Sequence, residues 1–139
     1  MTARFGDFVF ICQHIRRRVR VCPARAVEWA MSEILILYST VDGQTRRICE
    51  RMQAVLEASG QRVVLASFDD PHLPDAADFD KIVIGASIRY GKHRQSVADF
   101  IAANRALLDN RPSAFFSVNI VARKAEKNRP ETNPYVRKF

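Results

Sequence analysis

Long apolar runs are missing from this chain of 139 residues. None approaches the ~18 residues that span a bilayer as a helix. The longest near-continuous runs, FVFIC at 8–12 and ILILY at 34–38, have the length of strands. Glycine and proline are sparse, five and six residues, which excludes a collagen-like or linker-like chain. The three cysteines, Cys12, Cys22 and Cys49, are odd in number and form no Cys-x-x-Cys pair. A disulfide framework is therefore not expected, and a reducing compartment fits better. His14, His72 and His93 are scattered without metal-ligand spacing, which argues against a structural zinc site.

What is present is ordinary globular usage, 47% hydrophobic and 27% charged, in a length of about one domain. The net charge of +7 is uneven. Residues 1–30 carry six arginines against two acids, 31–120 ten bases against eleven acids, and 121–139 six bases against two acids. A neutral middle between basic ends suits phospholipid headgroups, nucleic acid or an acidic ligand, or else two solvated tails.

Residues 1–30 differ from the rest. An apolar stretch at 8–15 is followed by RRRVR at 16–20, the reverse of the order in a secretory signal. An interfacial basic helix is one reading. The other, adopted here, is that 1–31 is an extension outside the fold and Met31 a candidate translation start.

From residue 32 the pattern is regular. EILILY at 33–38 is continuously apolar, as in a strand covered on both faces. A polar loop, STVDGQT at 39–45, follows it. Ile48, Met52, Val55 and Leu56 then recur at helical spacing, with Gly60 as terminator. QRVVLASF at 61–68 and KIVIGAS at 81–87 predict two more strands, separated by a proline-containing loop with room for a short helical turn. Val97, Phe100, Ile101 and Leu108 predict a helix over 95–109, and SAFFSVN at 113–119 a fourth strand. Buried strands alternating with amphipathic helices predict an α/β fold, a doubly wound parallel sheet with helices on both faces.

In such sheets ligands bind beyond the carboxyl ends of the strands. The 39–45 loop is rich in hydroxyls, contains Gly43 and opens into a helix, whose first N–H groups favour phosphate. It has neither the Walker pattern nor Gly-x-Gly-x-x-Gly, and an ordinary turn capped by Thr45 competes with phosphate binding. Asp42 is awkward beside a phosphate and is expected to turn its carboxylate away or onto loop N–H groups. Tyr90, at the same edge, suits stacking on a flat ring or covering the core.

The 39–45 loop resembles the flavin mononucleotide (FMN) loop of flavodoxins. Segments 82–91 (IVIGASIRYG), 112–124 (PSAFFSVNIVARK) and 133–139 (NPYVRKF) extend the resemblance, in order, to the bacterial menaquinone-dependent protoporphyrinogen oxidase family. The resemblance covers 32–139, and 1–31 has no part in it. It implies a flavodoxin-like fold with bound FMN and oxidation of protoporphyrinogen IX to protoporphyrin IX in haem biosynthesis. Electrons would leave in three two-electron steps and pass through the flavin to a membrane quinone, menaquinone or ubiquinone. It also implies a cytoplasmic protein, peripheral on the inner membrane.

Carried over by position, Thr40, Val41, Asp42, Gly43 and Gln44 would hold the FMN phosphate, and Thr45 would add a hydroxyl. Ser87, Ile88, Arg89 and Tyr90 would form the middle wall. Phe115, Phe116, Ser117, Val118 and Asn119 would supply the stretch near the ring. The basic stretch 123–138 matches the family's long insertion, facing substrate propionates or an anionic membrane surface. No catalytic acid or base is identified.

Flavodoxin-like domains have a fifth parallel strand, for which this sequence offers no candidate. The last strand and helix are expected to be missing, 114–118 to be an apolar edge, and the chain to be a C-terminally truncated member. Two rivals share the fold: a generic electron carrier or quinone reductase, and an inactive fragment. A catalytically silent module using its basic ends on nucleic acid or lipid is a third. With no nucleic-acid signature present, a nucleic-acid partner is not expected. The first strand lacks the acidic pair of a receiver domain.

Overall fold

A computed structural model describes the backbone of residues 2–5, 8–14 and 31–137, and side chains over 31–137. The basic run 16–20 and Lys138 lie outside the described residues. Four parallel strands form the centre: β3 (Glu33–Ser39), β4 (Arg62–Ser67), β5 (Lys81–Ser87) and β6 (Ser113–Asn119). β3 lies between β4 and β5, and β5 pairs with β6. This is the doubly wound α/β arrangement expected.

The uninterrupted apolar runs are strands because both of their faces are covered. On one face Leu35, Leu37, Ile82, Ile84 and Phe115 pack with Val97, Phe100 and Leu108 from helices α2 (Gln95–Ala103) and α3 (Arg105–Asn110). On the other Ile34, Ile36, Phe116 and Val118 pack with Ile48, Cys49, Met52 and Leu56 from α1 (Gln44–Ala58). Leu35, Ile36, Leu37, Ile82 and Ile84 are fully buried, and each such side chain contributes roughly 1.5–3 kcal/mol. α1 closes in a Schellman pattern, with Gly60 N donating to Glu57 O and Gln61 N to Leu56 O. The connection before β5 holds a short 3-10 turn, Ala76–Asp78. Arg111 ties it to the start of β6 by donating to the carbonyls of Ala77 and Phe79.

The structure differs from expectation in two places. The single helix over 95–109 is two helices, broken at Asn104, whose side-chain amide donates to Phe100 O at 2.9 Å. A short amide side chain that bonds the backbone competes with the helical ladder. The 114–118 edge is also not bare. β1 (Thr2–Phe5) and β2 (Phe8–His14) form an antiparallel hairpin, and β2 pairs antiparallel with β6, from Val9 opposite Asn119 to His14 opposite Ala114. The described sheet thus runs β1-β2-β6-β5-β3-β4, whereas 1–31 was expected to lie outside the fold. An unpaired strand edge is a template for another apolar strand, and FVFIC at 8–12 supplies one.

Candidate functional site

Because β3, β5 and β6 are parallel, their carboxyl ends meet at one edge of the sheet. Ser39 is opposite Ala86, and Ser87 opposite Val118. From Ser39 the chain turns through 40–43 into α1. Gly43 makes the turn at φ 78°, in the left-handed region that glycine adopts without penalty. No side chain caps the helix, and its first turn carries no acid. The competing reading, a turn capped by Thr45, is not what forms; Thr45 lies within the first turn and is buried. The ladder starts with Arg47 N donating to Gly43 O at 3.1 Å, which leaves the amides of Gln44, Thr45 and Arg46 without a ladder partner.

Four hydroxyls collect around this corner. Ser39 Oγ, Thr40 Oγ1, Thr45 Oγ1 and Ser87 Oγ are buried, and each lacks a hydrogen-bond partner. An unsatisfied buried hydroxyl costs roughly 1–3 kcal/mol, and four at one sheet edge form a donor set for an oxygen-rich ligand. Beside them opens a cavity of about 430 Å³ lined by Val41, Ser87, Arg89, Tyr90, Lys92, His93 and Arg94. The Asp42 carboxylate faces across its mouth to Arg89 Nη1 at 4.0 Å, both side chains well exposed.

The far wall is a two-residue hairpin. Arg89 N donates to Lys92 O at 3.0 Å and Lys92 N to Arg89 O at 3.1 Å. Between them Tyr90 has φ 50° and Gly91 φ 75°, the double positive φ of a type I′ turn. Tyr90 is 91% exposed, with the Arg89 guanidinium 5.3 Å from its ring centre. It stands at the lip and does not cover the core.

Behind the hairpin runs a line of polar side chains. His93 Nε2 lies 3.0 Å from Ser117 Oγ, and Asn119 Nδ2 donates to Ser117 Oγ at 3.1 Å. Asn119 Oδ1 accepts from Ala122 N at 3.0 Å and from Asn133 Nδ2 at 3.2 Å. Asn133, fully buried, also donates to Lys127 O and accepts from Tyr135 N. Desolvation pushes the half-buried His93 down to about 4, so its imidazole is neutral at pH 7. Burial pushes the Cys49 thiol up to about 12, which leaves it un-ionised on the buried face of α1.

The residues expected from sequence divide accordingly. Thr40, Val41, Gly43, Gln44, Thr45, Ser87, Arg89 and Tyr90 gather at the corner and its cavity, with Asp42 at the mouth. Ile88 is held there through its N–H, which donates to Val118 O at 3.1 Å. Ser117 and Asn119 belong to the polar line. Phe115, Phe116 and Val118 point into the core, Phe115 to the α2–α3 face and the other two to the α1 face. Ser39, Lys92, His93, Arg94 and Asn133 were not singled out as site residues. Lys92, His93 and Arg94 directly follow the 87–91 segment, and that adjacency was the available signal. Among the described residues no group of side chains could hold a metal ion, and no helix is long and apolar enough to cross a membrane.

Comparison with known proteins matches residues 35–139 to the flavodoxin domain family. A protein of Escherichia coli K12 named protoporphyrinogen IX dehydrogenase [quinone] is 45% identical over 105 residues, covering 76% of this chain and 58% of that protein. One of the same name from Leishmania major is 40% identical over 106 residues, covering 76% and 46%. The chain thus spans about half the length of these relatives. A Fusobacterium nucleatum flavodoxin solved with flavin mononucleotide superposes with a TM-score of 0.45 at 13% identity, over 55% of this chain and 44% of that one.

Proposed function

Starting from a chain that belongs to the flavodoxin domain family, we propose that the corner between β3, β5 and α1 binds FMN. We further propose that it serves the oxidation of protoporphyrinogen IX to protoporphyrin IX, with a quinone as acceptor. The observation that carries the reading is the set of four buried, unpartnered hydroxyls beside the open N-terminus of α1. Their chemistry fits a phosphate and its ribityl chain, which are rich in oxygen acceptors.

Thr45 and Thr40 would donate to phosphate oxygens together with the amides at the start of α1, whose dipole favours an anion. Ser39 and Ser87 sit at adjacent strand ends, where hydroxyls of the cofactor's chain would find partners. The exposed Tyr90 offers a flat face at the lip of the cavity. Bound FMN supplies a two-electron acceptor; the protein's part is to bind, orient and shield it. A quinone such as menaquinone or ubiquinone would return the flavin to its oxidised form. The exposed cations Arg123, Lys124, Arg129 and Arg137 would hold the protein against anionic headgroups, on the cytoplasmic face of the membrane in a haem-synthesising cell.

Titration of FMN into the chain, read by flavin fluorescence, tests the reading. Saturable quenching is expected, with riboflavin, which lacks the phosphate, binding at least about tenfold more weakly. Thr45→Val should weaken FMN by about tenfold and leave riboflavin unchanged. A folded chain that quenches neither flavin overturns the assignment. Protoporphyrin fluorescence developing from protoporphyrinogen IX and a quinone, beyond any generic quinone reduction, tests the substrate.

A further inference from the structure

The hairpin wall of the cavity carries more positive charge than one phosphate needs. Arg89, Lys92 and Arg94 all line the cavity, together with Ser87, whereas Ser39, Thr40 and Thr45 are outside its lining. Arg89 and Lys92 are bridge partners across the turn, and directly opposed residues of an antiparallel pair carry their side chains on the same face. The turn closes through two reciprocal backbone bonds, and its root is fixed to β6 where His93 meets Ser117. His93 is neutral, so it neither adds to this charge nor cancels it. The cations are held in reserve: Arg89 faces Asp42 and Arg94 pairs with Asp69, all four side chains substantially exposed. Such solvent-screened pairs exchange readily for another carboxylate. Lys92 has no carboxylate partner among the described residues.

We propose that Lys92 and Arg94, beside Arg89 of the cofactor's middle wall, form a reader for the paired carboxylates of the substrate. The proposal rests on the tetrapyrrole reading above. Arginine forks take a carboxylate in two-point fashion, and lysine supplies a point charge beside them. A rigid hairpin carrying two of the three cations sets their spacing before the ligand arrives, which limits the ordering cost of binding. Substrate acids gripped here would bring the macrocycle to the cavity mouth beside Tyr90. This role differs from that of the basic stretch beyond β6, whose cations face outward.

The test compares protoporphyrin IX with its dimethyl ester, in the same dilute detergent, binding to the chain with and without FMN. Lys92→Gln and Arg94→Gln should each weaken the diacid about tenfold and leave the diester unmoved. FMN affinity should stay within twofold, and Arg94→Lys should retain most of the diacid binding. Circular dichroism confirms that these surface variants fold. A parallel fall in FMN affinity would assign the cations to the phosphate and overturn the proposal. Equal binding of diacid and diester by the parent chain would overturn it too. Failure to bind FMN at all sinks the cofactor reading, while the diacid–diester comparison on the FMN-free chain still decides the reader.

Discussion

Substituting Gly85 by alanine should destabilise the sheet through one identified contact. A Cβ at Gly85 would lie 2.3 Å from Phe116 Cζ and 2.7 Å from Cε1, well inside van der Waals contact. The two residues are paired in the β5–β6 ladder, so the clash is built into the register. The ring cannot slide away freely, because Ile36, Ile48, Cys49 and Val118 surround it at 5% exposure or less. Forcing it off its rotamer and parting the strands costs about 2–3 kcal/mol. The loss of glycine's freedom in the unfolded chain returns about 0.4–1 kcal/mol, leaving a net cost near ~2 kcal/mol. Urea unfolding followed by circular dichroism should show the midpoint falling by about 1 M at constant slope. Phe116→Leu removes the ring edge at its own packing cost. The double variant should then be less destabilised than the two single costs added, by about 1–2 kcal/mol. An alanine variant as stable as the parent, or costs that simply add, would refute the argument.

Acid should weaken the fold through His93. Its folded value near 4 lies below the ordinary 6.5, so its contribution is complete above pH 6.5 and is lost as pH falls toward 4. Discounted for partial exposure, the loss is about 2 kcal/mol, and His93→Gln should flatten that part of the pH–stability profile. Asn133→Ala breaks the bonds to Asn119, Lys127 and Tyr135. About 2–3 kcal/mol of local stability should go with them, seen as faster hydrogen exchange over 120–137 with the central strands still protected. Tyr90→Asn puts a residue tolerant of positive φ at φ 50°. A rise of roughly 0.5 kcal/mol in stability is expected, together with loss of any ring stacking, read by flavin fluorescence.

The central strands were legible because a strand buried on both faces leaves an unbroken apolar run, and 33–39 and 81–87 have nothing else to be. The hydroxyl-rich turn from β3 into α1 was legible because hydroxyls and one glycine stand there between a strand run and a helical pattern. Phe115 and Phe116 were assigned to the site as a pair, yet neighbours on a strand must point to opposite faces. That alternation stood in the sequence, whereas the assignment was carried over by position from the family resemblance. The break at Asn104 was hidden because apolar spacing persists across it. The contact of His93 with Ser117 spans 24 positions, and no local pattern announces such a contact. The pairing of β2 with β6 depends on which edge is left open, a property of the assembled sheet.

Asn119 and Asn133 pin together the two ends of a 14-residue span. Closing such a loop costs entropy that grows only as the logarithm of its length, about 0.6 kcal/mol per doubling. Residues between the pins can therefore be added, removed or recharged at little expense to the sheet beneath, so long as both asparagines remain. The span is a cassette. Its length and charge can be retuned for different surfaces or ligands while the corner between β3, β5 and α1 is left untouched.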